Sequence, residues 1–181
     1  ALFDNAAGEV LVSVVMPVFN AERTMRRSIE SVLQQTFPTL ELILVDDGST
    51  DGSSAIIAAY AQSAVREKAG RQPAHAGVAE ARNAGVRIAR GSHIAFLDSD
   101  DWWDPRKLEL QIAQMRGNGA LVSYTAYQRV AEDGRPLSQV DPPARLSYTD
   151  MLKSNHIANL TGIYDPRLGD VASQRVGQED S

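Results

Sequence analysis

Two groups of carboxylates dominate the chemistry available to this chain of 181 residues: Asp46-Asp47 and Asp98-Ser99-Asp100-Asp101. Neighbouring carboxylates repel, and keeping them ionised is costly unless a cation or hydrogen-bond donors offset the charge. Hard oxygen ligands of this kind suit Mg²⁺ or Mn²⁺, with the remaining positions filled by water and a substrate's phosphates. Asp-rich turns also cap helices, and Asp51 and Asp104 fit that plainer use. A D-x-D triplet alone is a weak metal signal. Asp98 and Asp100 gain weight from their place, because each acidic group closes an apolar run, residues 40–45 before the first and 93–97 before the second.

Other chemistries lack their residues. With no Cys there are no disulfides, thiolate zinc sites or Cys nucleophiles, which fits a reducing compartment such as the cytoplasm. No G-x-G-x-x-G follows the first apolar run, and neither G-x-x-x-x-G-K-[ST] nor H-E-x-x-H occurs. His75, His93 and His156 are scattered. Eighteen Lys+Arg stand against 23 Asp+Glu, a net charge of −5, so there is no bulk attraction for nucleic acid or anionic lipid.

The elements that must carry these carboxylates alternate strand and helix. Residues 11–18 are almost continuously apolar and β-branched, as a strand covered on both faces should be. Asn20 is placed to cap a helix to about residue 35, with Met25, Ile29, Val32 and Leu33 inward and Phe37-Pro38 ending it. Residues 40–45 make a second strand running into a turn at 46–52. A second helix follows with Ile56, Ile57 and Tyr60 inward. Residues 64–74 show no period and read as loop, with a short strand somewhere in 65–72. Val78, Ala81, Gly85 and Ile88 mark one face of a third helix, residues 93–97 a further strand, and Asp104-Pro105 the start of a fourth helix with Leu108, Ile112 and Met115 inward. Residues 121–130 alternate like a strand, and Asp133-Gly134 reads as a hairpin turn into 136–139. Residues 147–153 read as a short capped helix and 157–164 as extended.

Such alternation predicts an α/β domain over 1–181, a mostly parallel sheet with helices on both faces. Ligands then bind at the carboxyl ends of the strands, where both acidic groups fall. No apolar run approaches the roughly 18 residues of a membrane span, so no transmembrane segment is expected. Residues 10–19 follow Asp4 and Glu9 and contain Pro17, which fits a strand better than a signal peptide. The chain starts at Ala1 without Met and stops at Ser181 with no closing element, which reads as a fragment, a truncated domain.

Taken in order, VSVVMPVFN at 12–20, SIESVLQQT at 28–36, VDDGSTDG at 45–52, GVAEARNAG at 77–85 and FLDSDD at 96–101 resemble the family 2 glycosyltransferases of the Rossmann-like GT-A fold. LKSNHI at 152–157 and GQED at 177–180 resemble bacterial polysaccharide-synthesis members more loosely. The resemblance implies inverting transfer of a sugar from a nucleotide-sugar donor, UDP-sugar favoured, to a hydroxyl of a saccharide or lipid-linked saccharide acceptor. It places the reaction in polysaccharide or lipopolysaccharide synthesis, in the cytoplasm or peripherally at the inner face of the membrane, with no nucleic-acid partner.

It also assigns roles. Pro17, Phe19 and Asn20 would wrap the base, with Phe19 stacking near uracil; the alternative is a core aromatic. Asp47 would accept hydrogen bonds from base or ribose while Asp46 orients the turn. Asp98 would face the ribose or the metal, Asp100 would hold a Mn²⁺ or Mg²⁺ bridging both phosphates, and Asp101 would brace the next loop. Arg82 would reach the diphosphate or the D-x-D carboxylates; the alternative is a solvated helix charge. One of Trp102 and Trp103 belongs to the core and the other to a sugar or acceptor pocket, and Arg23, Arg26 and Arg27 read as a solvated face. Asp180, after Glu179, would be the general base; the alternative is an acidic tail. His75 departs from the pattern, since the family usually carries Asn there. Two rivals stand beside this reading: a non-catalytic nucleotide-sugar binding module, and a sugar nucleotidyltransferase. The second needs a Gly-rich basic loop after the first strand, where this chain has Pro17-Val18-Phe19-Asn20-Ala21-Glu22.

Overall fold

The computed structural model describes residues 11–63, 67–71, 75–131, 133–144 and 158–168. Strand β1 (Val12–Val18) is buried along its whole length. It lies between two parallel neighbours, β2 (Leu40–Asp46), in register from Val12↔Leu40 to Val18↔Asp46, and β4 (His93–Phe96), from Val12↔His93 to Val15↔Phe96. A strand flanked and covered in this way can afford no polar face, which is why its sequence does not alternate. β3 (Glu67–Arg71) pairs parallel with β2 and forms the short strand expected within 65–72. β8 (Ile163–Tyr164) runs antiparallel to β4 and to β5 (Val122–Ser123). The order among the described residues is β3-β2-β1-β4-β8-β5. The chain winds outward from β1 to β3, then crosses back to place β4 on the other side of β1. That reversal is a topological switch point, and it opens a crevice at the carboxyl ends of β1 and β4.

Helices cover both faces. On one, α1 (Met25–Leu33), α2 (Ser53–Ser63) and α4 (Lys107–Asn118) supply Met25, Ile29, Val32, Ile56, Ile57, Leu108, Ile112 and Met115 against Val12, Val14, Met16, Leu42 and Leu44. On the other, α3 (Val78–Ile88) lays Ala81 against Val15, Ile43, Val45 and Ile94. Gly85 lets α3 approach closely, since a Cβ there would sit 2.3 Å from Val15 Cγ1. β6 (Tyr127–Val130) and β7 (Pro136–Val140) form an antiparallel hairpin, turning at Gly134 with φ 83°.

Several local expectations are corrected. α1 begins at Met25 and carries no side-chain cap, because Asn20 takes left-handed geometry (φ 48°) and is used elsewhere. Leu33 is exposed and Ser28 takes the inward place. On α3, Val78 and Ile88 are exposed while Arg82 is buried. α4 begins at Lys107, with Asp104 folding back on Arg106 N at 2.9 Å and Gln35 Oε1 accepting from Leu108 N at 3.1 Å. The stretch 121–130 is two strands rather than one, because β5 joins the main sheet and β6 the hairpin. Within 157–164 a 3-10 turn, Asn159–Thr161, precedes β8. The helix expected at 147–153 lies outside the described residues.

Candidate active site

The β1–β4 ladder ends at Val15↔Phe96, with Leu97 N donating to Val15 O at 3.1 Å. Pro17 shares Val15's side of the strand. Its missing N–H therefore falls beyond the ladder, where no neighbouring strand requires it. Phe19 follows at the rim, 43% exposed. It is not a core aromatic: its ring stacks on His75, with centroids 3.9 Å apart and planes inclined 24°.

Asn20 pins this rim to the next one. Its Oδ1 accepts from Thr50 N at 2.8 Å and its N–H donates to Ser49 Oγ at 3.1 Å. Ala21 N donates to Ser53 Oγ, Glu22 N to Asp51 Oδ2, and Gly52 N to Glu22 Oε2. The loops after β1 and β2 are thus one knitted surface, and Asp51 holds that surface while also accepting from Ser53 N.

The two aspartates at the end of β2 differ. Asp46 is buried and accepts from Ser49 N at 2.8 Å and from the Ser54 hydroxyl, so it orients the turn and the start of α2. Asp47 is 1% exposed. Its Oδ1 accepts from Ala76 N and its Oδ2 from Gly77 N, both at 2.8 Å, and His75 Nδ1 lies 2.8 Å from Oδ2. Asp47 therefore ties β2 to the loop before α3, where Gly77 has φ 96°, a conformation that favours Gly.

Beyond β4 the acidic run meets a buried cation. Arg82 Nη2 donates to Asp98 Oδ1 at 2.6 Å. Asn159, with its amide oxygen turned inward, accepts from Arg82 Nη1 and Nη2 at 3.0 and 3.2 Å. Arg82 Nε finds no partner among the described residues. Arg82 is therefore not a solvated helix charge. Asp100 is exposed, whereas Asp101 is partly buried and its N–H donates to Asp98 O at 3.1 Å. Burial first, then the charges of Asp100 and Asp98, push the Asp101 carboxyl up to about 6. The local field thus disfavours a further negative charge, the condition under which a cation or donor groups would be welcome.

Of the two tryptophans, Trp103 is the core member. Trp103 is buried and donates from Nε1 to Leu160 O at 2.8 Å. Trp102 is half-buried, and the Arg27 guanidinium lies 3.3 Å from its ring centroid, so Arg27 is stacked rather than free in solvent.

Sequence reasoning missed three residues. Asn159 sits in a turn with no periodic signal. His75 reads as a mere departure until its contacts are seen. Lys107 is buried at the start of α4, donating from Nζ to Gln111 Oε1 at 2.5 Å and lying 4.4 Å from the Trp103 ring centroid. Gln111 Nε2 in turn donates to Thr161 O at 3.1 Å, tying α4 to the turn that carries Asn159.

Burial lowers the Lys107 ammonium from its ordinary 10.5 to about 7. The unfolded chain therefore holds one more proton than the folded one between those values, and stability rises with pH through that window. Urea unfolding at pH 7 to 9 should show a contribution approaching about 1.4 kcal/mol per pH unit in the native chain that Lys107→Met removes. Equal slopes in the two proteins would place the ammonium in water.

Asp180 and Glu179 lie outside the described residues. Among the described residues no three acidic or His side chains converge into a ready-made metal cage. The donor set Asp98, Asp100 is nonetheless of the kind that fits Mg²⁺ or Mn²⁺ bound through one or two carboxylates together with substrate phosphates.

Comparison with known proteins decides the family. Residues 13–168 match the family described as Glycosyl transferase family 2. The chain belongs to that family. TuaG of Bacillus subtilis (strain 168), named as a teichuronic acid biosynthesis glycosyltransferase, is 40% identical over 156 residues, 86% of this chain and 62% of TuaG. The Escherichia coli protein WfgD, named UDP-Glc:alpha-D-GlcNAc-diphosphoundecaprenol beta-1,3-glucosyltransferase, is 36% identical over 160 residues, 88% of this chain and 62% of WfgD. The chain thus spans less than two thirds of the length of these relatives. Among solved structures, a mannosyltransferase from Pyrobaculum calidifontis in complex with GDP-Man and Mn²⁺ superposes with a TM-score of 0.68 at 18% identity, over 92% of this chain and 48% of that one. That likeness shows the GT-A fold. In this family 2 chain, a stacking aromatic, a buried arginine and the D-x-D carboxylates share one rim of the sheet.

Proposed function

We propose that the chain is the catalytic domain, over 1–181, of an inverting glycosyltransferase that moves a sugar from a nucleotide-sugar to a hydroxyl of a saccharide or lipid-linked saccharide in envelope polysaccharide synthesis. The observation that carries the reading is the approach of Arg82 to Asp98 at 2.6 Å, on the same rim as Phe19 and Asp100. A buried guanidinium held between a carboxylate and an amide is oriented in advance, so it can meet the charge that grows on a leaving diphosphate without reorganising. Phe19 offers its face to a base, Pro17 leaves the crevice unblocked by a ladder, and Asn20 keeps the two rims in register. Asp98 and Asp100 would hold Mn²⁺ or Mg²⁺, which when bound supplies further charge neutralisation to the diphosphate.

The proton of the acceptor hydroxyl goes to Asp180 in this reading. The hydroxyl oxygen attacks the anomeric carbon as the bond to the diphosphate oxygen breaks, and one in-line displacement inverts that carbon. WfgD's name pairs UDP-Glc with a diphosphoundecaprenol-linked sugar, which supports a UDP-sugar donor and an acceptor at the membrane surface. Among the described residues no helix is long and apolar enough to cross a membrane. The GDP-Man complex of the archaeal neighbour keeps a guanosine donor in the test.

The test is a transfer assay with the full-length protein, α-configured UDP- and GDP-sugars and undecaprenyl-diphosphate-linked acceptors, with product configuration read by NMR. A β-linked product supports the proposal. Retention at the anomeric carbon contradicts inversion, and donor binding without turnover on any acceptor favours a binding module.

A further inference from the structure

The base side of the rim holds a ring already. His75 lies face-on against Phe19 at 3.9 Å between centroids, and its Nδ1 sits 2.8 Å from Asp47 Oδ2. A flat ring on an aromatic face with a ring N–H donating to a buried carboxylate is a particular pair of contacts. Uracil and thymine can make the same pair through N3–H, and guanine through N1–H. Cytosine and adenine cannot, because N3 and N1 present lone pairs to the carboxylate.

Competition follows from the geometry. Asp47 already accepts from Ala76 N and Gly77 N, and the His75 bond shares Oδ2 with the second of these. A carboxylate oxygen has about two lone-pair sites, so Gly77 N and His75 Nδ1 together fill Oδ2, and a base N–H aimed at that oxygen must take the place of His75. The His75 side chain is 52% exposed, so it can swing into solvent without opening the core.

We infer that His75 is a placeholder for the nucleobase: an incoming nucleoside diphosphate displaces its ring from Phe19 and takes over donation to Asp47. The inference rests on the nucleotide-sugar reading above and adds a specificity-determining residue to it. Apparent affinity is then the intrinsic affinity reduced by the fraction of chains whose ring has swung out. A base that lacks a ring N–H must displace His75 without replacing its bond, so the placeholder discriminates against it.

The experiment is calorimetric titration of UDP in Mn²⁺ into the native chain, His75→Ala and His75→Asn, together with ¹H–¹³C NMR of the His75 ring. Both variants should bind UDP about 3- to 10-fold more tightly than the native chain. The His75 ring protons, shifted by the Phe19 ring current in the free chain, should move toward solvent-exposed values as UDP saturates. Equal or weaker UDP binding by both variants, or a His75 signal that stays shifted at saturation, would overturn the inference and make His75 a clamp on the base. If the native chain binds no UDP, the nucleotide-sugar reading itself fails; if it binds UDP and the variants do not improve, only the placeholder fails.

Discussion

Asp180→Asn should lower kcat of the full-length protein by about 10²–10⁴-fold, the usual contribution of a general base. That range corresponds to roughly 3–5.5 kcal/mol on the barrier. Asn keeps the size and polarity of the side chain and cannot take the acceptor's proton. Donor affinity should stay nearly unchanged, because the base acts on the acceptor and not on the nucleotide. Glu179→Gln should do less if Glu179 only orients its neighbour. The readout is steady-state turnover alongside calorimetric donor binding. Full activity in Asp180→Asn would refute the role. A fall in donor binding equal to the fall in rate would make Asp180 a binding or structural residue.

The second large effect is expected at Asp100. It is the exposed member of the D-x-D pair, whereas Asp98 already has an oxygen engaged by Arg82. Removing the Asp100 carboxylate leaves Asp98 alone to hold a cation. Metal stabilisation of a leaving diphosphate is worth several kcal/mol, so Asp100→Ala should reduce kcat/KM by about 10²–10³-fold. Added Mn²⁺ should not restore UDP affinity in the variant. Its effect on folding should be small, since an exposed charge beside two others is removed. An unchanged response to Mn²⁺ would move the metal away from Asp100.

The parts of the fold that could be read from sequence are those whose neighbours lie close in sequence or whose burial is complete. β1 is legible because both faces are covered and its residues 12–18 carry no polar alternation beyond Ser13. The start of α1 is not, because Asn20 satisfies its side chain on Thr50, 30 residues away, and gives up the cap. α3 misleads for a similar reason. Arg82 is buried because Asp98 and Asn159 receive it, while Val78 and Ile88 are exposed. β3 lies at the sheet edge and pairs with β2, so its EKAGR sequence need not carry the apolar signature of a central strand.

The candidate site divides in the same way. Phe19, Asp47, Asp98 and Asp100 stand at strand ends, which the alternation of elements predicts. Asp47 is placed by its strand end to face base or ribose, and its two bonds from the loop at 75–77 are contacts that no spacing encodes. Asn159 and Lys107 become visible only once α4 meets the turn at Asn159–Thr161.

Calorimetric titration of UDP into this chain, once with Mn²⁺ and once with EDTA, with ADP as the control base, is the direct test of metal-dependent nucleotide binding at this rim. UDP should bind saturably in Mn²⁺, with affinity weaker by about tenfold or more in EDTA, and ADP, whose base has no ring N–H for Asp47, should bind little. UDP affinity that is the same in Mn²⁺ and EDTA, or ADP binding as tight as UDP, would contradict it.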